Sequence, residues 1–126
     1  MDLTPLIPTG RQIVESYGDL RFRVSGTVYE GSVLIFPQQT LAWPVASLAE
    51  MTTETLTPVI SRASAGEVDL LLVGCGPRLL PIAKDLRAAL RSQGIVMEPM
   101  DTGAAARTYN VLMAEGRRIA AALIAV

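Results

Sequence analysis

One stretch, Gly66–Ala89, limits the folds open to this chain more than any other. Within it, residues 69–73 read DLLLV, in which four apolar side chains follow the aspartate without polar alternation. Such a run is typical of a parallel strand that is covered on both faces. The GCGP turn at residues 74–77 ends the run, and apolar residues then recur at helical spacing. This order of strand, turn and amphipathic helix predicts half of a βαβ unit. It indicates an α/β fold but no reaction.

The rest of the chain predicts a β-meander followed by alternating helices and strands. In the first third, strands are expected over residues 12–17, 20–24, 27–36 (with an interruption at 30–31) and 40–43, and residues 46–53 are left as a loop. In the second part, helices are expected over residues 56–63, 79–92 and 101–115, and strands over residues 69–73, 95–100 and 117–126. Alternation of this kind predicts crossover connections and a largely parallel sheet.

The length of the chain, 126 residues, predicts a single domain over residues 1–126, with residues 1–10 as an extended N-terminal segment. In that domain, Val73 and Val96 should lie on adjacent or next-adjacent parallel strands. Three leucines on the inward faces of the predicted elements are expected to be fully buried: Leu71, Leu86 and Leu112.

Composition excludes or disfavours several classes of function. Eleven basic and twelve acidic residues nearly balance, the arginines are scattered, and aromatic residues make up only 5% of the chain. Nucleic-acid binding, which needs a basic surface and stacking rings, is therefore not favoured. The chain has no histidine and one cysteine, Cys75. An internal disulfide is thus excluded, the commonest general base and metal ligand is missing, and we expect neither a metal site nor a cofactor.

The chain is also unusually apolar for its size. Half of its residues are hydrophobic, 18% are charged, and the mean hydropathy is +0.37. Either a doubly covered sheet buries these residues, or part of the apolar surface meets a partner, and both can hold. The N-terminus lacks the pattern of a secretory signal, and the longest apolar run, residues 119–126, is too short to span a bilayer. We expect a cytoplasmic protein without a transmembrane segment; a homo-oligomer is left open.

Six residues are candidates for a ligand site where two of the predicted strands end. The carboxyl ends of parallel strands meet at one edge, where helix N-termini offer free N–H groups to an anion. The competing interpretation is structural: a tight glycine turn, a helix N-cap and a small buried cysteine, because neither a dinucleotide-binding motif nor a P-loop is present. The six candidates are Gly74, Cys75, Gly76, Arg78, Asp101 and Thr102.

A second polar set, Asn110, Glu115 and Arg117, lies towards the end of the last predicted helix. Helix closure and salt bridging account for most such sets, and a partner-binding surface is the alternative. At a rise of 1.5 Å per residue, Asn110 lies roughly 12–14 Å along the helix from Asp101. The two sets therefore cannot share a small substrate, and no residue is assigned a catalytic role.

The C-terminal part of the chain carries a more specific signal. Residues 100–110 (MDTGAAARTYN), 115–118 (EGRR) and 120–124 (AAALI) resemble the signature of a small family of unassigned biochemistry. Its eukaryotic members include the mitochondrial respiratory complex I assembly factor three. The glycine-x-glycine turn at residues 74–76 and the position of Trp43 are also similar to that family. The resemblance covers nearly the whole chain after residue 11.

The resemblance implies a three-layer α/β/α fold with a mixed, largely parallel central sheet and an N-terminal β-meander or hairpin addition. It also implies a bacterial, non-enzymatic protein-binding factor that assists assembly of a respiratory or other membrane-associated complex, which it would reach through a partner. Cys75 stands where relatives often have threonine, and Ala106 where many have cysteine, so a shared thiol role is not expected. The alternative is a small-anion or small-ligand binding protein, or an enzyme, that uses the edge formed by residues 74–78 and 101–102.

Overall fold

The computed structural model describes residues 10–126, so the extended segment expected over residues 1–10 falls, apart from Gly10, outside the described residues. The strands in this part of the chain are β1 (Val14–Gly18), β2 (Arg21–Val24), β3 (Thr27–Glu30), β4 (Val33–Ile35), β5 (Thr40–Ala42), β6 (Leu70–Gly74), β7 (Val96–Met100) and β8 (Ile119–Leu123). The helices are α1 (Thr57–Ser64), α2 (Lys84–Arg91) and α3 (Thr102–Ala114), and single 3₁₀ turns lie at Leu48–Glu50 and Glu54–Leu56.

The strands form two sheets. A small antiparallel sheet has the order β1-β2-β3, and a five-stranded sheet has the order β5-β4-β8-β6-β7. In the larger sheet β6 is parallel to both β7 and β8, whereas β4 is antiparallel to β8 and to β5. Val73 and Val96 thus lie on adjacent parallel strands, as predicted, and the large sheet is mixed with a parallel half.

The third predicted strand is interrupted where the sequence suggested. Gly31, with φ +84°, lies between β3 and β4, a conformation that glycine adopts without a steric penalty. The break lets the chain leave the small sheet after Glu30 and enter the large sheet at Val33. The predicted meander is therefore divided between two sheets, with β1 to β3 in one and β4 and β5 in the other.

The large sheet is covered on both faces, which explains the unbroken apolar run of β6. Leu71 and Val73 face the layer that contains α1 and α2, where they share a core with Val59 and Leu90. Leu72 faces the opposite layer of α3 and the small sheet. Because successive side chains of a strand point to opposite faces, β6 contributes to both hydrophobic cores. The predicted α/β/α arrangement, with the small sheet as an addition beside α3, is confirmed.

Helix α2 is shorter than the sequence pattern predicted. We expected a helix over residues 79–92, but α2 begins only at Lys84. Pro81 disfavours helical backbone at the residue before it, so the segment ahead of α2 is not helical. Leu80 and Ile82 nevertheless pack on the core from this segment. Their helical spacing in the sequence was therefore coincidental.

Two of the three leucines expected to be fully buried are only partly buried. Leu71 is fully buried, but Leu86 on α2 and Leu112 on α3 are half-buried. The deepest positions belong instead to Leu90 on α2 and to Tyr109 on α3. Each lies three or four residues from the leucine that was expected to be buried, and therefore on the same face of its helix.

Candidate functional site

The edge where β6 and β7 end is tied together by the hydroxyl group of Thr102. This hydroxyl accepts a hydrogen bond from the Gly76 N–H at 3.0 Å and donates to the Ile124 carbonyl oxygen at 2.7 Å. The Thr102 N–H donates in turn to the Gly76 carbonyl oxygen at 2.9 Å. Thr102 is fully buried. It therefore joins the turn after β6, the first turn of α3 and the end of β8.

Gly74 permits this close approach because it has no side chain. A Cβ atom at this position would lie 3.0 Å from both Cα and Oγ1 of Thr102. The neighbouring Cys75 is buried, and its thiol lies 3.5 Å from the Leu80 carbonyl oxygen. The cysteine is thus a small core residue between the turn and the segment that precedes α2.

The remaining candidates at this edge differ in exposure. Asp101 is the N-cap of α3, and its Oδ2 accepts from the Ala104 N–H at 3.1 Å. Arg78 lies exposed on the loop. The structure therefore brings Gly74, Cys75, Gly76, Asp101 and Thr102 together and leaves Arg78 at the surface. Backbone donors that could have met an anion are used internally, since the Cys75 N–H bonds the Met100 carbonyl oxygen at 2.8 Å. Ligand binding at this edge stays a hypothesis.

The second predicted set is not a single cluster. The side-chain amide of Asn110 bonds the backbone of Val14 on β1, through Oδ1 to the N–H at 3.0 Å and through Nδ2 to the carbonyl oxygen at 2.9 Å. Glu115 and Arg117 are exposed beyond the end of α3. Asn110 thus fastens the small sheet to α3, whereas the other two residues stay available at the surface.

Tyr109 adds a second link between α3 and the start of the small sheet. Its hydroxyl donates to the Gln12 carbonyl oxygen at 2.9 Å, and its ring is fully buried. Burial raises the pKa of the Tyr109 phenol, an effect that the nearby charge of Arg11 partly offsets. The phenol is therefore a protonated donor at neutral pH.

A cleft that sequence reasoning missed lies between the ends of the two sheets. Its volume is about 470 Å³. We call it the Leu20 cleft, and it is lined by Leu20, Glu30, Gly31, Ser32, Ala42, Trp43, Pro44, Val45, Ala46, Glu50 and Ala125. These residues come from the turn between β1 and β2, the link between β3 and β4, the end of β5 with the loop and 3₁₀ turn that follow it, and the C-terminal segment. The only signal in the sequence was the high apolar fraction, which did not indicate where the surface would lie.

Leu20 stands at the mouth of this cleft in an uncommon backbone conformation. It follows Asp19 in the two-residue turn between β1 and β2, and both residues have positive φ, 53° for Asp19 and 60° for Leu20. Turns of this type favour asparagine and glycine. The Leu20 N–H donates to the Val126 carbonyl oxygen and the Leu20 carbonyl oxygen accepts from the Gly31 N–H, both at 2.8 Å. These two bonds hold the leucine in place, with 63% of its surface exposed.

Metal-binding clusters and membrane-spanning helices are both absent from the described part of the chain. Among residues 10–126, no group of three or more histidine, cysteine, aspartate or glutamate side chains is placed to hold a metal ion. In the same part of the chain, no helix is both long enough and apolar enough to cross a membrane.

Curated relatives match most of this chain in sequence. An uncharacterised protein of Rhodobacter capsulatus is 40% identical over 112 residues, which are 88% of this chain and 82% of that protein. NADH dehydrogenase (ubiquinone) 1 alpha subcomplex assembly factor 3 of Bos taurus is 32% identical over 111 residues, which are 88% of this chain and 59% of that protein. The homologous factor of Xenopus tropicalis is 30% identical, with 60% of its length covered. The chain thus spans about three fifths of the assembly factors that it matches.

Solved structures share the fold. A protein described as an outer membrane protein from Bartonella henselae aligns with a TM-score of 0.85 and 34% identity, over 93% of this chain and 97% of that one. A Bordetella pertussis protein described as an Mth938-like domain aligns with a TM-score of 0.84 and 30% identity, over 98% of this chain and 92% of that one. Residues 14–124 match the family described as "Protein of unknown function (DUF498/DUF598)". The chain belongs to the DUF498/DUF598 family, in the Mth938-like fold.

Proposed function

We propose that this chain is a protein-binding factor that assists assembly of a respiratory or other membrane-associated complex. The observation that supports the proposal most is the match to curated relatives whose names are those of a complex I assembly factor, across 88% of this chain. In this proposal the chain acts without catalysis, works in the cytoplasm, and reaches the membrane through its partner.

Two exposed residues beyond α3 are the first candidates for a partner surface. Glu115 and Arg117 are exposed, and Arg117 lines a small polar cavity of about 200 Å³ together with Arg11, Glu67 and Arg118. Arg118 forms an ion pair with Asp69 at 3.1 Å. An arginine beside such a cavity suits a carboxylate or a backbone carbonyl of a partner. We assign Asn110 a supporting role here, because its amide is engaged with Val14.

The test is affinity purification from the bacterium that encodes the chain, with mass spectrometry of the eluted proteins. We expect a stoichiometric protein that belongs to a membrane-associated complex, and less of it with the Arg117→Ala variant. Arg91→Ala, an exposed arginine at the end of α2, is the matched control. In a deletion strain, native gel electrophoresis should show less of the assembled complex. Normal assembly in that strain would contradict the proposal.

The alternative function, binding of a small anion or ligand at the edge formed by residues 74–78 and 101–102, has less support from the geometry. The N–H groups of Gly76 and Thr102 already have partners within the chain. An anion would have to rely mainly on Arg78, which is exposed. An isolated surface guanidinium binds anions weakly because water screens it. We therefore rank protein binding first.

A further inference from the structure

We propose that the Leu20 cleft docks an apolar segment of a partner protein, and that this segment carries a lysine or arginine next to its apolar side chains. The inference rests on the proposed function and assigns it a binding site that is separate from Glu115 and Arg117. Three properties of the cleft carry it: an apolar lining, a rim charged with one sign, and a strained leucine at the mouth.

The lining has the composition of a binding cleft rather than of an ordinary surface depression. Trp43, Pro44, Val45 and Ala125 present apolar surface around a volume of about 470 Å³. Clefts that bind ligands are typically of this size and are lined mainly by apolar and aromatic side chains, with a few polar groups that set orientation. The cleft therefore suits the apolar side chains of a bound partner segment.

The negative charge on the rim favours an apolar segment that also carries a cationic side chain. Among the residues that line the cleft, Glu30 and Glu50 are charged and none is basic. Glu30 pairs with Arg21 at 3.3 Å, but both side chains are largely exposed, so the pair is weak. Glu50 accepts from the N–H groups of Ala46 and Ser47, bonds that leave its negative charge in place. A cationic side chain is attracted to this rim, whereas an anionic lipid surface is repelled.

Leu20 shows that the exposed apolar surface is held there against local preference. A leucine with φ 60° costs about 1–3 kcal/mol relative to a relaxed backbone, and glycine or asparagine would relieve this cost. Strained residues of this kind are concentrated at functional sites. The bonds to Val126 and Gly31 fix the backbone, so a partner meets a pre-organised leucine at the mouth of the cleft.

The chain contains a reporter for occupancy of the cleft. Trp43 is the single tryptophan, and it lines the cleft. The probe is a synthetic leucine–lysine amphipathic peptide, titrated into the full chain while Trp43 fluorescence is recorded. A leucine–glutamate peptide of the same length is the matched comparison. We expect saturable binding of the first peptide, and binding weaker by about tenfold or more for the second.

Two sets of variants test the two components of the site. Leu20→Gly should bind the leucine–lysine peptide about tenfold more weakly while keeping its fold, because glycine suits the turn. Leu79→Gly is its control, since Leu79 is 61% exposed on the loop before α2 and does not line the cleft. The double variant Glu30→Gln/Glu50→Gln should lose most of the difference between the two peptides, because glutamine keeps the hydrogen bonds of Glu50 but removes the charge. Asp85→Asn/Glu98→Gln, at two exposed positions outside the lining of the cleft, is the matched charge control.

The outcomes separate this proposal from the broader one. Equal binding of both peptides, or equal binding by Leu20→Gly and Leu79→Gly, would overturn the Leu20 cleft as the docking site. If Leu20→Gly still purifies with the native partner of the wild type, the docking proposal fails and the assembly proposal survives. Sedimentation equilibrium measures the oligomeric state of the wild type and of Leu20→Gly. If the wild type is a dimer and Leu20→Gly is a monomer, the cleft binds a second copy of this chain, and the proposal of a partner segment is overturned.

Discussion

The side chain of Asn110 bonds both backbone polar groups of Val14, at 3.0 Å to the N–H and at 2.9 Å to the carbonyl oxygen. The amide thereby replaces the neighbouring strand that β1 lacks on its outer side, because β1 is an edge strand of the small sheet. An edge strand left open invites pairing with other chains. Asn110 thus both docks the small sheet on α3 and closes one of its edges.

Asn110→Ala should therefore destabilise the protein. Truncation leaves the partly buried N–H and carbonyl groups of Val14 without their partner, which should lower the free energy of unfolding by about 1–3 kcal/mol. Urea denaturation followed by circular dichroism measures the change. Val111→Ala, at an exposed position next along α3, is the control and should change it by less than about 0.5 kcal/mol. Equal losses in the two variants would show that the amide contacts contribute nothing specific.

Thr102→Val tests the hydroxyl that joins β6, α3 and β8. Valine keeps the shape of the side chain but removes the bonds to Gly76 and Ile124, so two buried backbone groups lose their partner. We expect the free energy of unfolding to fall by about 2–4 kcal/mol, from two unmade hydrogen bonds in a fully buried position. Thr102→Ser keeps the hydroxyl and should lose only about 1 kcal/mol for the missing methyl group. A valine variant as stable as the serine variant would disprove this role.

Local sequence signals predicted what lies close together along the chain. The strand β6, the glycine turn after it and the N-cap at Asp101 follow from runs of a few residues, and each is found in place. The start of α2 was mispredicted, because the apolar spacing around Pro81 imitates a helix, whereas proline disfavours helical backbone at the residue before it. The spacing of apolar residues alone does not reveal this steric restriction on the backbone.

The sites depend on contacts that no local pattern contains. Thr102 bonds a residue 22 positions away, and Asn110 bonds one that is 96 positions away. The Leu20 cleft is assembled from the β1–β2 turn, the β3–β4 link, the region after β5 and the C-terminal segment. Besides the high apolar fraction, one sign lies at Asp19 and Leu20, which form the turn between β1 and β2, where turn chemistry favours asparagine and glycine. A residue that contradicts local preference is best examined for a tertiary reason.

The observed burial of the two leucines on α2 determines which of them should matter more for stability. Leu90 is fully buried against the large sheet, whereas Leu86 is half-buried. Leu90→Ala should therefore cost about 2–5 kcal/mol of unfolding free energy, and Leu86→Ala clearly less, because its truncation leaves a smaller cavity. Thermal and urea denaturation of the two variants provides the comparison. The reverse order would mean that α2 is rotated relative to the arrangement described above.

Phosphate tests whether the edge at residues 74–78 binds an anion. A ligand that binds only the folded state raises the melting temperature, and the rise grows with the logarithm of the ligand concentration once that concentration exceeds Kd. Because the Gly76 and Thr102 N–H groups already have partners, we expect phosphate to shift the melting temperature of the wild type and of Arg78→Ala equally. Differential scanning fluorimetry across a phosphate series measures both. A shift confined to the wild type would instead establish an anion site with Arg78 as its charged ligand.

Tyr109 should give the protein a characteristic loss of stability at alkaline pH. Burial raises the pKa of its phenol above the ordinary value of about 10, so the folded state holds the proton more tightly than the unfolded chain. The sign follows from this difference in proton binding. Below about pH 10 the phenol is protonated in both states, so it makes no contribution to the pH dependence of stability; above that pH the unfolded state ionises first and stability falls.

Tyr109→Phe removes the ionisable hydroxyl but keeps the aromatic ring. At neutral pH the variant should be less stable by about 1 kcal/mol, because the Gln12 carbonyl oxygen loses the hydroxyl that donates to it at 2.9 Å. Above pH 10 phenylalanine cannot ionise, so the variant should lose stability less steeply with pH than the wild type, and the two curves should converge. Urea denaturation at a series of alkaline pH values measures this difference in slope. Parallel curves would show that Tyr109 does not hold its proton more tightly in the folded state than in the unfolded chain.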